Sequence, residues 1–69
     1  MSETFDVFDE MEKLNWSDLN EVRWFFSAVV RNGYWSPDVG EGLMNVALQH
    51  QSREDVDEAL RLAFLGREA

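Results

Sequence analysis

Apolar residues recur at helical spacing along most of the chain. Between Glu3 and Leu14, the residues Val7, Phe8, Met11 and Leu14 fall in an arc of about 120° when successive residues are set about 100° apart. Phe5 lies at the edge of that arc, and Glu3, Asp6, Asp9 and Glu10 fall opposite it. Ser2 is placed to cap such a helix, and early acids suit the positive end of its dipole. The pattern predicts a first helix over about 3–14.

The stretch LNWSDLNEVRWFFSAVVRNG gives the clearest helical signal. Leu19, Val22, Phe25, Phe26, Val29 and Val30 form one broad apolar face. Asn15 or Ser17 can cap it. With Asn15 as the cap, Asp18 takes the capping-box position, and Leu14 and Leu19 are spaced as a hydrophobic staple. Arg31 suits the C-terminal end, and Gly33 suits the left-handed residue just beyond it. The second helix is expected over about 17–32.

Ser36 followed by Pro37 reads as a cap and a first helical residue. Val39, Leu43, Val46, Ala47 and His50 then share a side, flanked by Met44 and Leu48. Gly40 and Gly42 each weaken a helix by up to about 1 kcal/mol relative to Ala. The third helix is expected over about 37–50. Ser52 and Asp55 form an S-x-x-D capping box, Val56, Ala59, Leu60, Ala63 and Phe64 form an apolar face, and Gly66 is placed to end a fourth helix over about 53–65. No β-hairpin dipeptide separates alternating apolar runs. The expected fold is all-α: one domain over 1–69, a compact bundle of three to four short helices.

Composition sharpens this. A chain of 69 residues buries only about 60% of its unfolded surface, so its core is marginal. There is no cysteine, which excludes disulfides and thiolate metal sites, and one histidine does not build a zinc site. No cofactor or metal is expected. The resource left is apolar side chains, which make up 45% of the residues and include three Trp and five Phe. Fourteen acids against six bases give a net charge of −8, which repels nucleic acid and anionic membrane alike. No apolar run reaches the ~20 residues of a membrane span, and the N-terminus has no signal-peptide pattern, so a cytoplasmic location is expected.

The acids are unevenly placed. Residues 1–22 hold seven acids and one base; residues 54–69 hold five acids and two bases. On the first helix, five acids over nine residue steps span roughly 13.5 Å, about one charge per 3.4 Å, close to the axial spacing in one DNA strand. Such rows are either solvated faces that keep a small apolar protein in solution or charge surrogates for nucleic acid. The scarcity of interleaved lysines, which would stabilise each helix at i,i+4 spacing, favours a basic partner.

Trp24 lies about 180° from the apolar face of its helix, beside Asn20, Ser27 and Arg31. It is either a second packing contact or an exposed interface anchor. Tyr34 and Trp35 face the same choice, with core packing favoured for Trp35. His50 reads as a helix-end residue that meets the last carbonyls. It has no Ser or Cys partner in a recognisable motif, and acid pairs such as Asp9 and Glu10 sit on polar faces, so no enzyme activity is expected. DVDEAL lacks the glycine and spacing of a calcium loop.

With SETFDVFDEMEK and SREDVDEAL as its acidic parts, the chain resembles the small acidic proteins that phages and mobile elements encode against host defences, of anti-CRISPR and anti-restriction type. That resemblance implies a DNA-mimic-like inhibitor, acting in the host cytoplasm, that binds a basic surface on a CRISPR effector or nuclease subunit and excludes its nucleic acid. These proteins share no diagnostic motif, so the resemblance carries over no site residue. From about Val22 to Leu65, the order NGY, ALQ, DVDEALRLAFL also resembles ubiquitin-associated domains, three-helix modules with a Met-Gly-Phe/Tyr loop. Here Asn32 stands where those have methionine, and the distance from Gly33 to Ala47 is several residues longer.

The leading expectation is a non-enzymatic inhibitor or adaptor. Glu3, Asp6, Asp9 and Glu10 supply one charge row, Glu54, Asp55, Asp57 and Glu58 a second, and Trp24 or Tyr34 the aromatic anchor. The alternative is a helical interaction module or homo-oligomer joined through Trp24, Leu62 and Leu65.

Overall fold

In the computed structural model, which describes residues 5–68, the chain forms four helices: α1 (Val7–Lys13), α2 (Leu19–Arg31), α3 (Pro37–Leu48) and α4 (Arg53–Glu68). The expected all-α bundle is what the chain builds. α2 lies at its centre. Its Val22, Phe25, Phe26, Val29 and Val30 are all buried, together with Leu43 and Ala47 of α3 and Val56, Ala59 and Ala63 of α4. α4 meets the large residues of α2 with two alanines four residues apart, which lets the two helices approach closely, and this is the main helix–helix contact.

α2 and α4 run in the same direction. Gln51 Nε2 donates to the Trp16 carbonyl (3.0 Å) ahead of both helices. Arg23 bridges Glu58 at 2.9 Å in their middle, and Trp35 packs edge-on against Phe64 at 5.9 Å towards their ends. α3 makes the return between them.

Two tryptophans close the core. Trp16, in the α1–α2 turn, is buried edge-on against Phe25 (5.7 Å), and its indole N–H donates to the Met11 carbonyl at 3.1 Å. Trp35 stands between Phe26 and Phe64, each 5.9 Å away. It also lies on the backbone of Gly40, where an added Cβ would come within 2.7 Å of the indole. Gly40 therefore costs helix propensity but makes room for the ring.

Capping explains most boundaries. Ser36 Oγ accepts from Val39 N (3.2 Å) and Ser52 Oγ from Asp55 N (3.2 Å), as the sequence pattern predicts. At the end of α2, Gly33 adopts φ 76°, Gly33 N–H donates to Val30 O and Tyr34 N–H to Val29 O, a Schellman closure.

Other boundaries differ from expectation. α1 starts at Val7 because Asp6 caps it, accepting from Phe8 N and Asp9 N; Ser2 lies outside the described residues. α2 is capped by Asp18 and not by Asn15 or Ser17, because burial of Trp16 requires a turn over 15–18, closed by Asp18 N–H on Asn15 O. Asn15 Oδ1 instead accepts from Ser17 N, and Glu21 accepts from Asn15 N. α3 ends at Leu48. The backbone N–H groups of His50 and Gln51 both close on Ala47 O, and the exposed His50 does not line the apolar side. α4 continues through Gly66 to Glu68, since that glycine does not adopt the left-handed conformation that would stop it.

The two helical glycines of α3 should respond oppositely to the same change. Gly40→Ala forces the Trp35 ring to move and should destabilise the protein by about 1–3 kcal/mol. Gly42→Ala meets nothing within 4 Å and should stabilise it by up to about 1 kcal/mol. Urea unfolding of the two variants beside the parent checks both signs.

Candidate interaction surface

Phe5 precedes the Asp6 cap, so its side chain is not bound to the register of α1. It turns onto α2 and the α2–α3 turn. Its ring stacks on Tyr34 (6.1 Å between centroids, 16° between planes), meets Trp24 edge-on at 6.3 Å, and touches Phe25 of the core at 6.0 Å. Each such pair contributes about 0.5–1.5 kcal/mol beyond area burial. The outer faces of two of these rings stay in water: Trp24 is 53% exposed and Tyr34 41%.

Phe8 extends the cluster. It shares a shallow groove with Phe5, Asp6, Val7 and Tyr34. On its other side it lines a groove of about 220 Å³ between α1 and α3, with Val7, Met11, Asp38, Val39, Gly42 and Leu43. Phe8 was expected to face inward with Val7, Met11 and Leu14, yet it is 73% exposed. The reason is geometric. α1 has seven residues and one supporting neighbour along this side, so Val7 and Met11 take the contact with α3, and Phe8, at the edge of the arc, stays outside.

The result is a continuous apolar strip: Tyr34, Phe5, Phe8, Met11, Val39. Asp6 and Asp38 stand in its lining. Exposed aromatic rings on a supported base are the type of side chain that anchors interfaces. Of the two anchors expected from sequence, both Trp24 and Tyr34 belong to the cluster, and Phe5 joins them. The place of Phe5 and Phe8 in this cluster was not expected from the sequence. The signal for it was Asp6-x-x-Asp9, a cap followed by an acid three residues later, which moves the helix start past Phe5. Trp35, for which core packing was favoured, is half-buried and packs against the core.

The acids expected to form two rows divide by what holds them. Glu3 lies outside the described residues. Asp6 is spent on the cap. Asp9 pairs with Lys13 at 2.9 Å, and its hydrogen bond and charge raise the lysine pKa. Glu10 is half-buried and lies in none of the described ion pairs. On α4, Asp57 lies 3.6 Å from Arg53 and Glu58 2.9 Å from Arg23. Glu54, Asp55, Asp57, Glu58 and Arg61 together line a shallow depression that involves this helix alone. The two acidic regions are thus carried by different parts of the bundle, one beside the aromatic cluster and one along α4.

Among the described residues no polar or charged residue is buried, and no group of three or more His, Cys, Asp or Glu is placed to hold a metal ion. No helix of the described residues is long and apolar enough to cross a membrane. Compared with models of known families, with curated proteins and with solved structures, the chain matches none.

The double duty of Asp6 can be separated from its charge. Asp6→Asn keeps an oxygen on the N–H groups of Phe8 and Asp9 and should leave stability nearly unchanged; Asp6→Ala should cost about 1 kcal/mol. Hydrogen exchange of the α1 amides should rise in the second variant alone.

Proposed function

We propose that this protein is a non-enzymatic binding protein, an inhibitor or adaptor that docks on a basic, nucleic-acid-binding surface of a larger protein. The observation that carries the reading is the group of exposed aromatic rings around Phe5, set on a strongly acidic protein in which no described charged residue is fully buried. The rings supply the desolvated anchor. The surplus acids supply attraction to lysines and arginines that would otherwise hold phosphates. Charge of this kind raises the association rate and discriminates against acidic partners more than it deepens affinity.

The division of the acids assigns roles. Asp6, Asp9, Asp57 and Glu58 have partners within the chain, so they shape the local surface and are weakened as free charges. Glu10, Glu54 and Asp55 lie in none of the described ion pairs and offer more net charge to a partner. Phe8 and Tyr34 bring the apolar contact. A partner that fits combines an apolar notch with flanking basic residues. A CRISPR effector or nuclease subunit, whose nucleic-acid channel is lined by lysine and arginine, has that chemistry, and a protein seated there excludes nucleic acid by occupying the channel mouth.

Competition decides it. Purified CRISPR-effector and restriction-nuclease complexes, titrated with the chain, should release a labelled nucleic acid, and the binding constant should weaken as salt rises. Phe8→Ala should weaken binding by more than tenfold, since an anchor residue contributes about 2 kcal/mol or more. Glu54→Lys with Glu10→Lys should slow association. Failure to bind any such complex at low salt, or binding indifferent to both salt and Phe8, would sink the proposal.

A further inference from the structure

The outer face shared by α2 and α4 differs in character from the rest of the molecule. A groove of about 340 Å³ runs there, lined by Arg23, Trp24, Ser27, Ala28, Arg31 and Leu62. It holds two arginines and no acid, on a chain with net charge −8. Leu62 is 46% exposed and Leu65, one turn further along α4, is 56% exposed. Among the described residues Arg31 forms no ion pair, and Arg23 Nε is out of water without a hydrogen-bond partner.

We infer that this face pairs with a second copy of the chain about a two-fold axis perpendicular to α2 and lying in the plane of the contact. Three features select this occupant. The face is palindromic: Trp24 stands three residues before the Ser27–Ala28 pair, and Arg31 three residues after it. An axis through the small pair sets α2 antiparallel to its mate and brings each Trp24 ring under the guanidinium of the other copy's Arg31, a cation–π contact. The side chains at the crossing are small, so the helices can approach closely.

The charge along the face is also self-complementary. The Arg23–Glu58 bridge ties Glu58 to an arginine of the groove, close to the level where the other copy's Arg31 arrives. The same offset places Leu62 level with Ser27, so Leu62 meets its own symmetry mate on the axis. Such an interface is isologous and closes at two copies. Trp24 links this face to the aromatic cluster, whose Phe5, Phe8 and Tyr34 do not line the groove.

Salt separates this inference from docking on a basic partner. Two bodies of net charge −8 repel each other, so screening should strengthen the dimer. Docking on a basic surface should weaken under the same change.

Sedimentation velocity of the intact protein should show a reversible monomer–dimer equilibrium, tightening severalfold between about 50 mM and about 500 mM salt. Leu62→Glu and Arg31→Glu, both at exposed positions, should each weaken it at least tenfold, with helical content unchanged by circular dichroism. The chain has no cysteine, so Ser27→Cys should give a rapid disulfide-linked dimer in mild oxidant and Phe8→Cys should not.

Several results would overturn the inference. A monomer at all concentrations and salts would do so. So would a dimer lost with Phe8→Glu but not with Leu62→Glu. A monomer whose tryptophan emission saturates with a synthetic acidic amphipathic peptide would assign the groove to a different occupant and overturn it equally.

Discussion

The fit of α2 against α4 is the constraint on which the rest depends. Phenylalanine and valine side chains of α2 require neighbours, and a short chain has few to offer. α4 solves this by being small where α2 is large. Ala59 and Ala63 contribute little area of their own, but they let the two helices close until water is excluded between them. The parallel run of the two helices then fixes α3 as the return segment. It also fixes two places at the ends of the pair where a wide ring can close the core, and Trp16 and Trp35 take them.

That arrangement leaves α1 in a different position from the other helices. It is short, it is held through Val7, Met11 and the Met11 carbonyl that receives the Trp16 indole, and it covers α3 incompletely. The incomplete cover leaves the groove beside Phe8 and the exposed ring itself. The surface most suited to recognition is therefore a consequence of how little of α1 the core can accept. A longer first helix with a second supporting neighbour would have buried Phe8 and removed the exposed ring.

Charge follows the same division. None of the described acids is needed inside, and several are tied to local duties: Asp6 and Asp18 at caps, Glu21 on the backbone of Asn15, Asp9, Asp57 and Glu58 in surface pairs. Such pairs contribute little to stability, about 0–1 kcal/mol, because water screens them. Their larger effect is on where uncompensated charge remains. A groove with no acid in its lining, between α2 and α4, stands out against that background.

The all-α class, the order of the helices and the inward residues of α2, α3 and α4, His50 excepted, were legible in the sequence. They follow from periodicity and from caps with a local signature, as at Ser36, Ser52 and Gly33. The position of Leu62 and Leu65 off the apolar arc of α4 was legible for the same reason, whereas the sequence left open whether Trp24 packs or stays in water. The sequence alone did not decide the start of α1, the cap of α2, the burial of Trp16, the close approach of Trp35 to Gly40, or the exposure of Phe8. The start of α1 has a local signature, Asp6 and Asp9, that periodicity passes over; the others depend on packing partners: Trp16 on Phe25 and Gln51, Trp35 on Phe26 and Phe64, Phe8 on how little of α1 the neighbouring α3 covers. Periodicity states which residues share a face of a helix. Only the tertiary structure sets how much of that face another helix is wide enough to cover.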